Sequence, residues 1–302
     1  MRRAKTKPLL VFNSIQDKIL MAVIYAIMAI IFLAIAMPLL FVVASSFSST
    51  DAVTSGRVYF WPVEFSLQGY EVAIQSPAIL RSFFMSVFYT AAGTLISVSL
   101  TLLTAYPLSR RDLRLRNAAM LLFTLTMFIS GGMIPTYLLV RSLHLTDTVW
   151  AILLPSAMSV WNMILARTYM QSSIPVELHE SASIDGCSDW RHFISIVLPL
   201  SAPIIAVIVL YYAVAKWNSF FDAMIYLNNR DLYPFQLILR SILVQATGGS
   251  FDLTLSEQMN KAALKNLLQY SMIVISTVPI LTFYPFVQKY FIKGIMVGSL
   301  KG

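Results

Sequence analysis

Charged side chains are scarce in this 302-residue chain. Asp, Glu, Lys and Arg together make up 12% of it, about half of the usual share in a soluble domain. Apolar residues make up 58%, and the mean hydropathy is +0.73, so a water-soluble fold would have too little polar surface to cover itself. The lone cysteine, Cys187, has no partner within the chain, which excludes a disulfide scaffold. The composition also excludes disorder and collagen-like repeats, and it predicts a polytopic membrane protein.

Several kinds of functional site have no support in the sequence. No Asp, Glu, Lys or His lies in the middle of a long apolar run, which argues against an ion-coupled secondary transporter because the coupling ion needs a ligand. None of the 11 glycines falls in a phosphate-binding loop, so any ATP that drives the protein is bound by another chain. The three histidines are scattered, and no metal site is expected. No nucleophile elbow is present, so we expect no catalytic residue.

Long apolar runs make up most of the chain, and a run that crosses lipid must be helical to satisfy its own backbone. We predict an all-α protein with six transmembrane helices. The predicted spans are Ile19–Val43, Ser82–Tyr106, Ala118–Val140, Thr148–Ala166, Leu198–Ala215 and Leu267–Val287. The first run exceeds the apolar core of a secretory signal peptide, so we interpret it as a retained span. Prolines predict kinks in the last two spans: Pro199, Pro203, Pro279 and Pro285.

The Lys and Arg residues predict the orientation. Fourteen of the 22 share one side if the N-terminus is cytoplasmic, as the positive-inside rule requires. We therefore predict a cytoplasmic N-terminus (1–18), a transmembrane domain (19–287) and a cytoplasmic tail (288–302). Within the transmembrane domain, residues 174–199 form a cytoplasmic loop and residues 216–266 form a long polar outer loop.

The predicted cytoplasmic loop is typical of two short helices joined by a turn. Pro175 suits a first helical turn, and Gly186 suits a left-handed helix stop. Ser188 or Asp189 can cap the second helix.

The first of these helices also carries features of a docking surface. Ser181 and Ala182 are small, so the helix can press closely into a groove on another protein, and Leu178 and Ile184 can serve as apolar anchors. From these residues alone, a helix that lies on the bilayer surface is an equally open interpretation.

The spacing in this loop resembles the EAA loop of importer-type ABC transporter permeases, in the carbohydrate branch of the maltose type. Glu180-Ser181-Ala182 is followed by Gly186 after three residues and by Ile196-x-Leu198-Pro199 after nine more. Ser181 stands where Ala is usual in the family and is also small. Further matching positions are Asp185, Trp190 and Phe193.

Three segments outside the loop also resemble the family. Residues 105–110 resemble its A-Y-x-x-S-R motif, residues 217–222 its W-N-x-F-x-D motif, and residues 289–302 its F-x-K-G-x-x-x-G-x-x-K-G ending. The resemblance covers nearly the whole chain beyond the first span.

The resemblance implies a type I ABC importer permease fold and a location in the bacterial cytoplasmic membrane. The chain would be the permease subunit of an ATP-driven, binding-protein-dependent importer of a sugar, with an oligosaccharide as the expected substrate. It would not be an enzyme, because a separate ATPase chain would bind ATP and Mg. Implied partners are a second permease in a heterodimer, an ABC ATPase dimer, an external sugar-binding protein and the lipid bilayer, but no nucleic acid. ATP would close the ATPase dimer and move the EAA helix, which would open the permease pair outward.

The resemblance also implies roles for particular residues. The ATPase-coupling residues would be Glu180, Ser181, Ala182, Asp185, Gly186, Leu198 and Pro199. The tail would contact the ATPase through Lys293, Gly294, Gly298 and Lys301, although a basic tail can also hold to anionic lipid. The outer loop would reach the binding protein through a polar tip formed by Asn228, Asn229, Arg230 and Asp231, although a solvated loop without contacts is also open.

Sugar sites favour aromatic faces and amides. Candidates for the substrate path are Trp161, Asn162, Tyr211, Tyr212, Trp217 and Asn218. Trp and Tyr also form the belts at membrane interfaces, which is the competing interpretation. The alternatives for the whole chain are a channel or secondary transporter without an ATPase, and a membrane-embedded enzyme or scaffold. Copurification of an ATPase separates the first interpretation from these.

Overall fold

A computed structural model describes residues 15–246, 267–283 and 285, and all regular secondary structure in these ranges is helical. The predicted all-α class is therefore confirmed. The predicted tail residues Lys293, Gly294, Gly298 and Lys301 lie outside the described residues. So do residues 1–14 of the predicted N-terminal segment and residues 247–266 of the predicted outer loop.

Fifteen α-helices follow one another along the described ranges. They are α1 (Ile15–Ser46), α2 (Thr50–Thr54), α3 (Gln68–Gln75), α4 (Pro77–Ser109), α5 (Arg116–Phe128), α6 (Met133–Ser142), α7 (Trp150–Leu153), α8 (Val160–Ser173), α9 (Val176–Ile184), α10 (Asp189–His192), α11 (Leu198–Leu200), α12 (Ala202–Trp217), α13 (Phe221–Tyr226), α14 (Phe235–Ala246) and α15 (Leu267–Phe283). A π-helical turn covers Phe193–Val197, and a 3₁₀ turn covers Arg230–Leu232.

The described residues divide into two compact units. One holds residues 15–69 and 267–274, and the other holds residues 70–246, 275–283 and 285. In the first unit, α1 runs through Pro38 without a break, and its only buried residues are Ala44, Ser45 and Ser46. An apolar helix that exposes its side chains over almost its whole length suits a lipid environment.

In the second unit, α4 packs along α12 and α8. Their core includes Leu102 and Ala105 of α4, Met163 of α8, and Ile208 and Tyr212 of α12, all buried. The 33 residues of α4 correspond to a rod of about 50 Å at 1.5 Å per residue.

The prediction of one continuous helix over Ala118–Val140 is wrong. The segment is divided into α5 and α6, whose axes differ by 113°. Four residues separate the helices, and the last of them, Gly132, has φ +82°. Glycine adopts this conformation without a steric penalty, so the pair Gly131-Gly132 allows the turn.

The continuous helix predicted over Thr148–Ala166 is also wrong. Helix α7 ends at Leu153 and α8 begins at Val160, because Pro155 lacks the N–H that a continuing helix needs. Two side chains of α12 bind the backbone exposed by this break. The backbone N–H of Ser159 donates to Tyr212 Oη at 2.9 Å, and Lys216 Nζ donates to Ser156 O at 3.1 Å and to Ser156 Oγ at 2.7 Å.

Lys216 was predicted in the outer loop, but it lies inside α12 and is buried. Gly93 of α4 makes room for it, since a Cβ at that position would be 3.1 Å from Lys216 Cδ. The described part of the predicted polar outer loop, residues 216–246, is also largely helical, since it contains α13 and α14. Helix α14 buries an apolar face that includes Phe235, Ile238 and Ile242.

The kink predicted near Pro199 and Pro203 is confirmed. The helical segments Asp189–Leu200 and Ala202–Trp217 differ in direction by 81°. The first and second predicted spans each lie within one helix. In the described part of the chain, only α1 and α4 are long and apolar enough to cross a membrane alone, and the number rises to four if each bent pair is one span. The six-span count stays a prediction.

Candidate functional site

The loop predicted at 174–199 begins with a helical hairpin made of α9 and α10, as its sequence predicts. Gly186 has φ +71°, and its N–H donates to Ser183 O at 3.1 Å. The N–H of Cys187 donates to Ala182 O at 2.9 Å. These two bonds are the Schellman pattern that ends a helix at a left-handed glycine. Ser188 caps α10, because its Oγ accepts from the N–H of Arg191.

Helix α9 presents most of its surface to solvent. Ala182 is its only buried residue and His179 is half-buried, so these two residues form a narrow strip that faces the unit. Glu180 and Ser181 are exposed, and Ile184 is 87% exposed. Val176, Leu178 and Ile184 are the exposed apolar side chains of this helix.

Arg110, at the end of α4, contacts both helices of the hairpin. Its guanidinium donates to Asp112 (Nε to Oδ1, 2.9 Å) and forms an ion pair with Asp189 of α10. Its Nη2 donates to His179 Nε2 of α9 at 2.9 Å. Because arginine has no acceptor, Nε2 of His179 is the acceptor in this contact. One side chain of α4 therefore binds α9, α10 and its own loop.

The electrostatics around Arg110 favour the charged forms. Hydrogen bonds to Asp112 raise the pKa of Arg110, and the hydrogen bond from Arg110 holds the pKa of Asp112 below its usual value. Both groups therefore stay ionised at neutral pH. The Arg110 side chain is only 19% exposed, so solvent screens these contacts less than it would on an open surface.

Tyr106 lies one turn before Arg110 and packs against α10 and the π turn. Its hydroxyl is 3.1 Å from His192 Nδ1, and its ring centroid is 4.8 Å from that of Phe193. Tyr106 and Arg110 are the aromatic and basic residues of the A-Y-x-x-S-R segment. This segment therefore supplies the side chains of α4 that bind the hairpin.

Three further side chains bind the free carbonyl groups at the end of α4. Arg167 of α8 donates to Leu108 O at 2.9 Å, and Gln171 of α8 donates to Ser109 O at 3.2 Å. Arg116 of α5 donates to Arg110 O at 3.4 Å. Helix ends leave such carbonyls unpaired unless side chains satisfy them. This end of α4 is thus tied to α5, α8 and the hairpin, beside a cavity of about 740 Å³.

The predicted coupling residues differ in their burial. Glu180, Ser181 and Asp185 are exposed, Ala182 is buried against its own chain, and Gly186 forms the turn. Leu198 is half-buried and Pro199 is exposed after the π turn. The sequence interpretation assigned no role to Tyr106, Arg110, His179 or His192. One feature of the sequence could have indicated a role for two of them: Tyr106 and Arg110 lie four residues apart at the end of a predicted span.

The six candidates for the substrate path divide equally. Trp161, Tyr211 and Asn218 are exposed, whereas Asn162, Tyr212 and Trp217 are buried. Tyr212 Oη is 2.7 Å from Thr101 Oγ1, and Trp217 Nε1 donates to Ser276 O at 2.9 Å. These two buried side chains use their polar groups inside the fold.

The predicted polar tip at 228–231 is anchored. Asp147 Oδ1 accepts from the N–H groups of Asn228 and Asn229 at 2.9 and 2.7 Å. Arg81 Nη1 is 3.0 Å from Asp231 Oδ1. Among the residues the structure covers, no group of three His, Cys, Asp or Glu side chains is placed to hold a metal ion.

The chain is similar to known transport proteins over most of its length. Residues 97–232 match the family described as "Binding-protein-dependent transport system inner membrane component". The polygalacturonan/rhamnogalacturonan transport system permease protein YtcP of Bacillus subtilis (strain 168) is 42% identical over 281 residues, which are 92% of this chain and 97% of that protein. Protein LplC of the same organism is 40% identical over 269 residues, 88% of this chain and 89% of that protein.

A solved structure is also similar to this chain. A chain from the crystal structure of a bacterial ABC transporter involved in the import of the acidic polysaccharide alginate superposes with a TM-score of 0.87 at 30% identity. The match covers 93% of this chain and all of that one. The predicted type I ABC importer permease fold is therefore confirmed. With relatives this similar over nearly its whole length, the chain belongs to the family of binding-protein-dependent transport system inner membrane components, the permease subunits of ABC importers.

Proposed function

We propose that this permease imports an oligosaccharide and that the exposed surface of α9 is the docking site of its ATPase. One observation carries the proposal: among the residues that the structure describes, α9 rests on its own chain only along His179 and Ala182, while Glu180, Ser181 and Ile184 are exposed. A docked helix must offer free surface to its partner and remain attached to the helices that it moves. The α9–α10 hairpin meets both requirements.

The remaining parts of the importer follow from the family. The chain would pair with a second permease in a heterodimer, and ATP and Mg would bind to the separate ATPase dimer. An external binding protein would deliver the sugar near the tip at 228–231. The predicted six spans, the cytoplasmic termini, the bacterial cytoplasmic membrane and the ATPase-contacting tail belong to this proposal.

The names of the relatives support a carbohydrate substrate, and two of them, which mention polygalacturonan/rhamnogalacturonan and alginate, point to uronate-containing oligosaccharides. Within the chain, Trp161, Tyr211 and Asn218 are the candidates that remain open to a sugar, because their side chains are exposed. The other three candidates are buried and support the fold.

The test is ATP-driven uptake of labelled oligogalacturonides by proteoliposomes that hold both permeases, the ATPase and the binding protein. Glu180→Lys and Ile184→Asp lie four residues apart, on one exposed face of α9. We expect each variant to lose the ATPase during copurification and to lose uptake. Asp51→Lys, an exposed acidic residue of α2, is the matched control and should retain both. ATPase binding that survives both α9 variants would contradict the docking surface, and a wild-type complex without sugar uptake would contradict the substrate class.

A further inference from the structure

One side chain, that of Arg110, joins the end of α4 directly to helix α9. His179 and Ala182 are the residues of α9 that face the rest of the second unit. His179 accepts a hydrogen bond from Arg110. The same guanidinium pairs with Asp189 of α10 and with Asp112 of the following loop. Arg110 is thus positioned to hold both helices of the hairpin to α4.

We propose that Arg110 is a positioning residue that clamps α9 to α4, so that a displacement of α9 by the ATPase is carried along α4. The inference rests on the proposed function and adds the internal link that this function requires. Arg110 touches neither sugar nor ATP, and it acts through the helix that it holds.

The chemistry of the contact favours arginine. A planar guanidinium has five N–H donors in a fixed arrangement, and that of Arg110 binds two carboxylates and one imidazole nitrogen. A lysine at this position would present one compact ammonium group, which cannot reach the three partners in the same geometry. Charge-assisted bonds of this kind are also stronger than neutral ones.

The hairpin does not need Arg110 in order to fold. Helix α9 ends in its own Schellman bonds from Gly186 and Cys187, and Ser188 caps α10. The carbonyl groups at the end of α4 are bound by Arg167 and Gln171 of α8. Loss of the guanidinium therefore leaves each helix intact and removes the direct hydrogen bond between α4 and α9, while Tyr106 still holds α10 to α4.

The neighbouring residue provides a matched control. Arg111 has the same charge and is exposed, and none of the contacts described for the 15–246 range includes its side chain. Arg110→Gln removes the clamp, Arg110→Lys keeps the charge alone, and Asp189→Asn weakens one partner whose side chain is 66% exposed. Arg111→Gln removes the same charge one residue away. All four variants are made in the complete transporter with Cys187→Ser.

The first readout is a distance that a purely structural role would not change. Spin labels at Ser183 of α9, which lies outside the proposed docking residues, and at Leu103 of α4, both exposed, report the separation of the two helices by pulsed electron resonance. In the wild type and in Arg111→Gln, the distribution should stay narrow without nucleotide and after trapping with ATP and vanadate. In Arg110→Gln it should broaden on trapping, with a smaller broadening in Arg110→Lys and Asp189→Asn. Equal distributions in Arg110→Gln and Arg111→Gln would overturn the clamp.

The second readout is the number of ATP molecules hydrolysed per oligogalacturonide imported. We expect this ratio to rise roughly fivefold or more in Arg110→Gln, the lower end of usual coupling between sites, while the ATPase still copurifies. An unchanged ratio in Arg110→Gln would also overturn the clamp. Failure of the proposed function is distinguishable, because it appears as absent ATPase binding or absent uptake in the wild type.

Discussion

Gly186 ends helix α9, and replacing it tests whether the docking helix depends on this turn. Its φ of +71° lies in the left-handed region, and a Cβ built there would have no atom within 4 Å. The cost of Gly186→Ala is therefore backbone strain without a steric clash, about 1–2 kcal/mol for an L-residue in this conformation. Alanine also restricts the unfolded chain more than glycine does, and this offsets about 0.4–1 kcal/mol of that cost. Gly186→Val should cost more because its side chain is β-branched, and Gly186→Asn should cost least because asparagine tolerates this region.

The two amide bonds of the turn provide the assay. The N–H groups of Gly186 and Cys187 donate to Ser183 and Ala182, and their exchange with deuterium reports how often the end of α9 opens. A net strain of about 1 kcal/mol raises opening roughly fivefold. Hydrogen-exchange mass spectrometry of the transporter in nanodiscs should show that increase in Gly186→Ala, a larger one in Gly186→Val and little change in Gly186→Asn. ATPase binding should weaken in the same order.

Gly131→Ala is the matched control, because Gly131 lacks a left-handed φ and a Cβ there would meet Pro135 at an ordinary 3.7 Å. It should leave exchange at Gly186 unchanged. The reasoning is refuted if Gly186→Val exchanges like the wild type, or if Gly186→Asn opens as readily as Gly186→Ala.

Two further predictions concern the helices and their orientation. Tyr212→Phe should lower the apparent melting temperature of the purified complex, because it leaves the half-buried Ser159 N–H without its acceptor at a cost of about 1 kcal/mol. Tyr211→Phe, an exposed neighbour, should not lower it, and an equal shift in both would contradict the role of Tyr212. In a background with Cys187→Ser, a cysteine at Arg114 should react only with cytoplasmic reagent and a cysteine at Asn229 only with an impermeant external one. The reverse labelling pattern would overturn the predicted orientation.

The sequence predicted those parts of the fold that depend on local composition. The apolar runs predicted α1 and α4. Gly186 and Ser188 predicted the turn of the hairpin and the cap of its second helix. The breaks before Met133 and Val160 were missed, because apolar residues continue through them and only Gly131-Gly132 and Pro155 interrupt the pattern.

Arg110 could not be assigned from the sequence for another reason. Its partners His179 and Asp189 lie 69 and 79 residues further along the chain, and only folding brings them together. Lys216 was missed in the same way. A lysine beside an outer loop is ordinarily solvated, and its burial depends on Gly93 and on the carbonyl group of Ser156.

The break between α7 and α8 also limits how segments of such permeases can be exchanged. Its backbone groups are bound by Tyr212 and Lys216, which lie on one face of α12, 53 and 60 residues further along the chain than their partners Ser159 and Ser156. A chimera that takes the break from one permease and α12 from another would leave these partly buried peptide groups unpaired, unless the donor also carries this tyrosine and lysine. Recombination between permease genes should therefore succeed more often when residues 154–159 and 212–216 come from the same parent.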